Sequence, residues 1–139
     1  MNSELRSFVG INITAGGRIS LKRILNVEPD DFVYVLLKTN CIEIRTKAQQ
    51  DALLEKVSKL IKLTNDDKYK KLHASIFAYS KSLRVGSKSQ IYLGNDIVDR
   101  RKFDKNVIIE KCDDCIKLWH PKMFKVEMAE YNNKVSRSK

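Results

Sequence analysis

The chain has 139 residues, 42% apolar and 32% charged, an ordinary composition for one compact domain with a real core. Its 27 Lys and Arg against 17 Asp and Glu leave a formal charge of +10, which suits a polyanionic partner, with nucleic acid ahead of an anionic membrane surface. No apolar run approaches the ~20 residues that span a bilayer, and Glu4 and Arg6 interrupt any signal-peptide core, so a cytoplasmic chain with reduced cysteines is expected, nucleoid-associated if its polyanionic partner is DNA.

Weak alternation over residues 7–13 predicts a first strand, and Gly16-Gly17 a tight turn, because glycine takes positive φ without steric cost. Arg18 to Leu21 follows as a strand with Ile19 and Leu21 on one face and Arg18 and Ser20 on the other. Lys22 to Asn26 reads as a short helix or turn. Phe32 to Leu37, rich in β-branched and aromatic residues, predicts a buried strand, and Thr39-Asn40 turns the chain into a further strand over Cys41 to Arg45. Thr46-Lys47-Ala48-Gln49 has capping-box form and opens a helix with Leu53, Val57, Leu60 and Ile61 as its apolar stripe. Thr64 to Asp67 separates it from a second helix carrying Tyr69, Leu72, Ile76 and Tyr79. Leu83 and Val85, a turn over Gly86 to Ser89, and Ile91 and Leu93 restore the strand pattern. Asn95 can cap a short helix to Arg101. Val107 to Glu110 and Cys115 to Trp119 form a closing hairpin, and Pro121 suits the first position of a last helix with Phe124, Met128 and Tyr131 on one face. Asn132 to Lys139 holds three basic residues and no acid and reads as a frayed basic tail.

Two stretches read as copies of each other. Ile13 to Leu21 aligns without a gap on Val85 to Leu93, an offset of 72 residues. Val33-Tyr34-Val35 with Cys41 to Ile44 aligns on Val107-Ile108-Ile109 with Cys115 to Leu118, an offset of 74. A doubled unit in a short basic chain points to a pseudo-symmetric binding surface sooner than to a catalytic cleft. The organisation expected is one domain over 1–139: repeat one over 8–63, a linking helix over 66–82, repeat two over 83–131 and a tail over 132–139. The fold class is α+β: two β-rich half-repeats building a small, short-stranded closed sheet, with flanking helices on its outside.

Several residues invite chemistry. Cys112-Asp113-Asp114-Cys115 has C-x-x-C spacing with His120 beyond it, and Cys41 or His73 would have to complete a zinc site. The repeat aligns Cys115 with Cys41 at the start of a buried strand and no second C-x-x-C exists, so small buried thiols and no metal are expected. Asp113-Asp114 fits a hairpin turn, and Trp119 fits core packing better than base stacking. His73 and His120 lack a nucleophile partner. No phosphate-cradling glycine loop occurs, so no cofactor is expected and an enzyme is the least favoured class.

The order and spacing of Gly17-Arg18-Ile19-Ser20-Leu21, Asn40 to Arg45, Ile91-Tyr92-Leu93, Val107-Ile108-Ile109 and Ile116 to Trp119 resemble the MraZ family, with its two AbrB-like swapped-hairpin units. Lys71 to Ala78 is similar to that family's linking segment. The resemblance spans roughly residues 8–131. It implies transcriptional regulators that bind short direct repeats in double-stranded DNA near cell-division genes, assemble into rings, and meet DNA through a turn of the form Asp-x-x-x-Arg. Arg18 holds the Arg position of that turn in repeat one, where Thr14 replaces the Asp; in repeat two Gly86 and Gln90 replace both.

On this reading Arg18 forks onto guanine or phosphate, and Lys22 and Arg23 grip backbone phosphates. Gln90 meets adenine, Lys88 meets phosphate, and Arg84 adds charge beside them. The expected function is a sequence-specific DNA-binding regulator acting as a homo-oligomer. The altered turns favour an alternative, an oligomerisation or protein-interaction module that kept the fold and lost DNA recognition. An antitoxin-type regulator is a third reading, since the AbrB-like fold is shared there.

Overall fold

The computed structural model describes residues 7–12, 17–21, 24–94 and 106–137. Along the chain run β1 (Ser7–Asn12), β2 (Arg18–Ser20), β3 (Phe32–Leu37), β4 (Cys41–Thr46), α1 (Lys47–Thr64), α2 (Asp67–Tyr79), β5 (Ser80–Arg84), β6 (Gln90–Tyr92), β7 (Asn106–Lys111), β8 (Ile116–Trp119) and α3 (Pro121–Arg137). The class is α+β. Six strands form one antiparallel sheet in the order β1-β7-β8-β4-β3-β5, and β2 pairs with β6 in a separate two-stranded ribbon.

That strand order reads the same from either edge once each strand is exchanged with its repeat counterpart. β3 and β7 are counterparts, as are β4 and β8, and β1 and β5. The register obeys the same exchange. Leu37 faces Ile42 in one hairpin, and Lys111 faces Ile116 at the matching place in the other. Glu43 faces Lys117 where β4 meets β8, and Ile19 faces Ile91 where β2 meets β6; each is a residue paired with its own counterpart. A local two-fold therefore passes between both pairs. The halves are interlocked, because β1 adds to β7 of the other half and β5 adds to β3.

The sheet is open, not closed as the short strands and tight turns predicted. β1 and β5 end up on opposite edges, and β2 and β6, the elements that could bridge them, pair with each other instead. The apolar core lies between ribbon and sheet. Ile19, Leu21, Ile91 and Leu93 meet Val33, Val35, Ile42, Ile44, Val107, Ile109, Ile116 and Leu118, all essentially inaccessible to water. Burying a side chain of this size stabilises by about 1.5–3 kcal/mol, so this slab is the main cohesive element.

The helices cover the opposite face of the sheet. α1 begins at the capping box: the Thr46 hydroxyl accepts from the Gln49 amide at 3.1 Å, and the Gln49 side chain accepts from the Thr46 amide at 3.0 Å. Asn65 ends α1 in the left-handed region, its N–H donating to the Ile61 carbonyl, and the Asp66 carboxylate caps α2. Gln50, buried on α1, donates to the Ser80 hydroxyl and ties the helix pair to β5. α3 starts at Pro121 and rests on the sheet through an edge-to-face contact of Phe124 with Phe8, centroids 4.8 Å apart. It runs to Arg137, through most of the segment predicted to fray, because no Gly or Pro interrupts it. The expected short helix over 95–101 lies outside the described residues. Among those described, no helix is long and apolar enough to cross a membrane.

Candidate nucleic-acid interface

The β2–β6 ribbon turns Ile19 and Ile91 into the core, so strand alternation sends Arg18, Ser20, Gln90 and Tyr92 to the outer face. Arg18 stands opposite Tyr92 and Ser20 opposite Gln90. Arg18, Ser20 and Tyr92 are exposed and Gln90 is half-exposed. A groove of about 310 Å³ runs beside them, lined by Arg18, Arg84, Gly86, Ser87, Gln90 and Tyr92.

Matching backbone bonds hold the ribbon at both ends. The Leu21 N–H donates to the Ser89 carbonyl at 2.8 Å, and the Leu93 N–H to the Gly17 carbonyl at 2.9 Å. Gly17 and Ser89 both take positive φ, +80° and +55°. The Ser89 hydroxyl, buried, donates to the Val27 carbonyl at 3.3 Å, which fixes the second turn in place of the glycine freedom of the first.

Among the residues singled out from sequence, Arg18, Gln90 and Arg84 are brought together on this groove. Lys88 sits exposed on the adjoining turn with φ +61°. Lys22 and Arg23 lie outside the described residues, as does Thr14. Arg84 carries a second relationship that the sequence did not announce. Its guanidinium forks onto Asp30, Nη2 at 2.7 Å and Nε at 3.0 Å from one carboxylate oxygen, so any phosphate there competes with a side chain already in place. Ser20 and Tyr92 are the outer-face residues that sequence reasoning passed over. Their exposed positions follow from the same alternation that places Arg18.

The sheet's helix-side face holds a row of polar groups. Glu43 and Arg45 form a buried ion pair at 2.8 Å, with the Arg45 Nε left without a hydrogen-bond partner. Trp119, buried as expected, donates its indole N–H to Glu110 at 3.1 Å. Burial works against the charge of Lys117, but Cys112, Cys41, Glu110 and Glu43 around it outweigh this and hold its pKa above the ordinary lysine value. Cys41 and Cys115 are buried and Cys112 is half-buried. His120 accepts the Lys122 amide at Nδ1, 3.0 Å, and caps α3. Among the described residues, no group of three or more His, Cys, Asp or Glu is placed to hold a metal ion. Compared with known proteins, the chain matches no family model and no curated relative.

Proposed function

We propose that this chain is a sequence-specific, duplex-DNA-binding transcriptional regulator of the MraZ-like kind, working as a homo-oligomer. The observation that carries this reading is the outer face of the β2–β6 ribbon, where exposed Arg18, Ser20 and Tyr92 and half-buried Gln90 form one polar row beside the Arg84 groove in a chain of charge +10. A two-stranded antiparallel ribbon fits the major groove of B-form DNA, where base edges carry the full sequence code. Lys88 on the adjoining turn is exposed, and on this reading it meets a backbone phosphate.

The local two-fold makes Arg18 and Gln90 counterparts, and they are chemically unequal. Arginine reads guanine O6 and N7 as a fork, and glutamine reads adenine N6 and N7. The two half-contacts therefore prefer different bases, and the bound element is unsymmetrical. A single ribbon offers few base contacts, each worth about 1–3 kcal/mol of discrimination. Several subunits on successive direct repeats gain the remaining affinity through effective concentration. Selection of fragments from a random duplex library, beside a native mass measurement of the assembly, tests this reading. Enrichment of a short repeated element containing both guanine and adenine contacts supports it; retention of no sequence over another opposes it.

A second reading is favoured by a different observation. The α1–α2 hairpin exposes Leu63, Phe77 and Tyr79, at 82%, 74% and 73% of their surfaces. Apolar side chains displayed this fully on two adjoining helices suit a protein-interaction module. That reading predicts assembly without salt-sensitive retention on DNA.

A further inference from the structure

The β7–β8 hairpin closes on a pair of cysteines. Cys112 and Cys115 flank the two-residue loop Asp113-Asp114, and the Cys112 N–H donates to the Cys115 carbonyl at 2.9 Å. Directly opposed residues of an antiparallel pair have Cα atoms about 4.5–5.5 Å apart, within the window of roughly 4.4–6.8 Å that a disulfide spans. Alternation puts both side chains on the helix side of the sheet, next to the Glu110–Lys117 pair. The two thiols are near enough for each to shift the pKa of the other. Cys112 is half-buried and Cys115 is buried, so Cys112 is the more accessible of the two to a small oxidant.

We propose that Cys112 and Cys115 form a reversible redox site, with Cys112 the thiol attacked by a small peroxide and Cys115 the thiol that closes the disulfide. The electrostatics agree with that division. The hydrogen bond from the Cys115 thiol, aided by Lys117, lowers the Cys112 pKa against burial and the nearby Glu110 and Asp114. The same bond and burial raise the pKa of Cys115, with Arg45 opposing. A thiol that keeps its proton is not the one attacked first, and reaction of Cys112 removes the partner that held the Cys115 proton, which then leaves as its sulfur attacks.

The chemistry balances with hydrogen peroxide as the oxidant. The Cys112 thiolate attacks one peroxide oxygen; an S–O bond forms, the O–O bond breaks, and the departing hydroxide takes a proton to become water. Cys112 is then a sulfenic acid, oxidised by two electrons. The Cys115 sulfur attacks the Cys112 sulfur, its proton passing to the departing hydroxide. The S–S bond forms, the S–O bond breaks, and a second water leaves. A dithiol reductant reverses the result by thiol–disulfide exchange.

Cys41 supplies an internal control. It is the repeat counterpart of Cys115, but Lys38 stands where Cys112 stands, so the first hairpin has the same closing bond and no second thiol. The test treats the full chain with hydrogen peroxide, blocks remaining thiols with a maleimide after unfolding, and maps the peptides by mass. The expected result is loss of two of the three thiols, both from the β7–β8 hairpin, as one intramolecular disulfide that dithiothreitol restores. Cys115→Ser should stop the reaction at a Cys112 sulfenic acid that dimedone traps, and Cys112→Ser should leave Cys41 and Cys115 unoxidised. Overoxidised Cys112 beside a free Cys115 in the wild-type chain, or a disulfide that involves Cys41, overturns the proposal.

Discussion

Gly17 and Ser89 sit 72 positions apart, and each accepts at its carbonyl the amide of the other half's leucine, Leu93 for Gly17 and Leu21 for Ser89. Both have positive φ, although only one is glycine. The relationship ties the two copies of the turn into one platform, and its cost falls on the second copy. There Lys88 and Ser89 both occupy the left-handed region, which is unfavourable for a side chain by about 1–2 kcal/mol.

Stability and binding should part company at that turn. Lys88→Gly relieves left-handed strain and is expected to raise the unfolding free energy by about 1 kcal/mol, read by urea titration. The same change removes a cation from the edge of the interface, so DNA affinity should fall. A variant that gains stability and keeps full affinity would show that Lys88 lies off the DNA.

The buried ion pair makes an opposite prediction. Glu43→Ala leaves the Arg45 guanidinium buried without its partner, at a cost of about 3–5 kcal/mol. Replacing both together, Glu43→Leu with Arg45→Met, should recover most of that loss, since two apolar side chains need no partner. Equal losses in the single and double variants would place the cost in packing and not in the uncompensated charge.

At the start of α3, His120→Ala should cost about 1 kcal/mol, and His120→Asp should recover it by supplying a carboxylate to the same Lys122 amide. Thr46→Ala should cost a similar amount at α1, its counterpart. Thermal unfolding of the three variants checks both.

Alkaline pH should unfold the protein early. Burial, reinforced by Glu43, pushes the Cys41 pKa up to about 11 from an ordinary 9.0. The neutral thiol is favoured in the fold, so its contribution is full below pH 9 and is lost as the pH rises toward about 11. The loss is on the order of 2–3 kcal/mol. Cys41→Ala should flatten that part of the stability curve, and an unchanged slope would assign it to other groups.

The local frame was legible in the sequence where one residue pattern decides one structure. Thr46 and Gln49 spell out a capping box, Pro121 opens α3, and the alternation over Arg18 to Leu21 sets which side chains face outward. The repeat was legible too, but not its interlocking, because strand partners are chosen by tertiary packing and not by local sequence. Nothing in Glu43 or Arg45 distinguishes a solvated face from one covered by helices. His120 stayed hidden because histidine is not among the usual capping residues, and the Arg84–Asp30 fork because its partners are 54 residues apart. At the candidate site, Arg18 and Gln90 could be read as counterparts, whereas Tyr92 beside Arg18 follows only from the antiparallel pairing of β2 with β6.

The most direct measurement is fluorescence anisotropy of a labelled duplex carrying the selected element, titrated at several salt concentrations with the wild-type chain, Arg18→Ala and Gln90→Ala. Log affinity is expected to fall linearly with log salt, Arg18→Ala to lose about 1–3 kcal/mol of preference over random duplex, and Gln90→Ala to lose less. Binding that ignores salt, or equal losses at the two positions, would contradict the proposed reading.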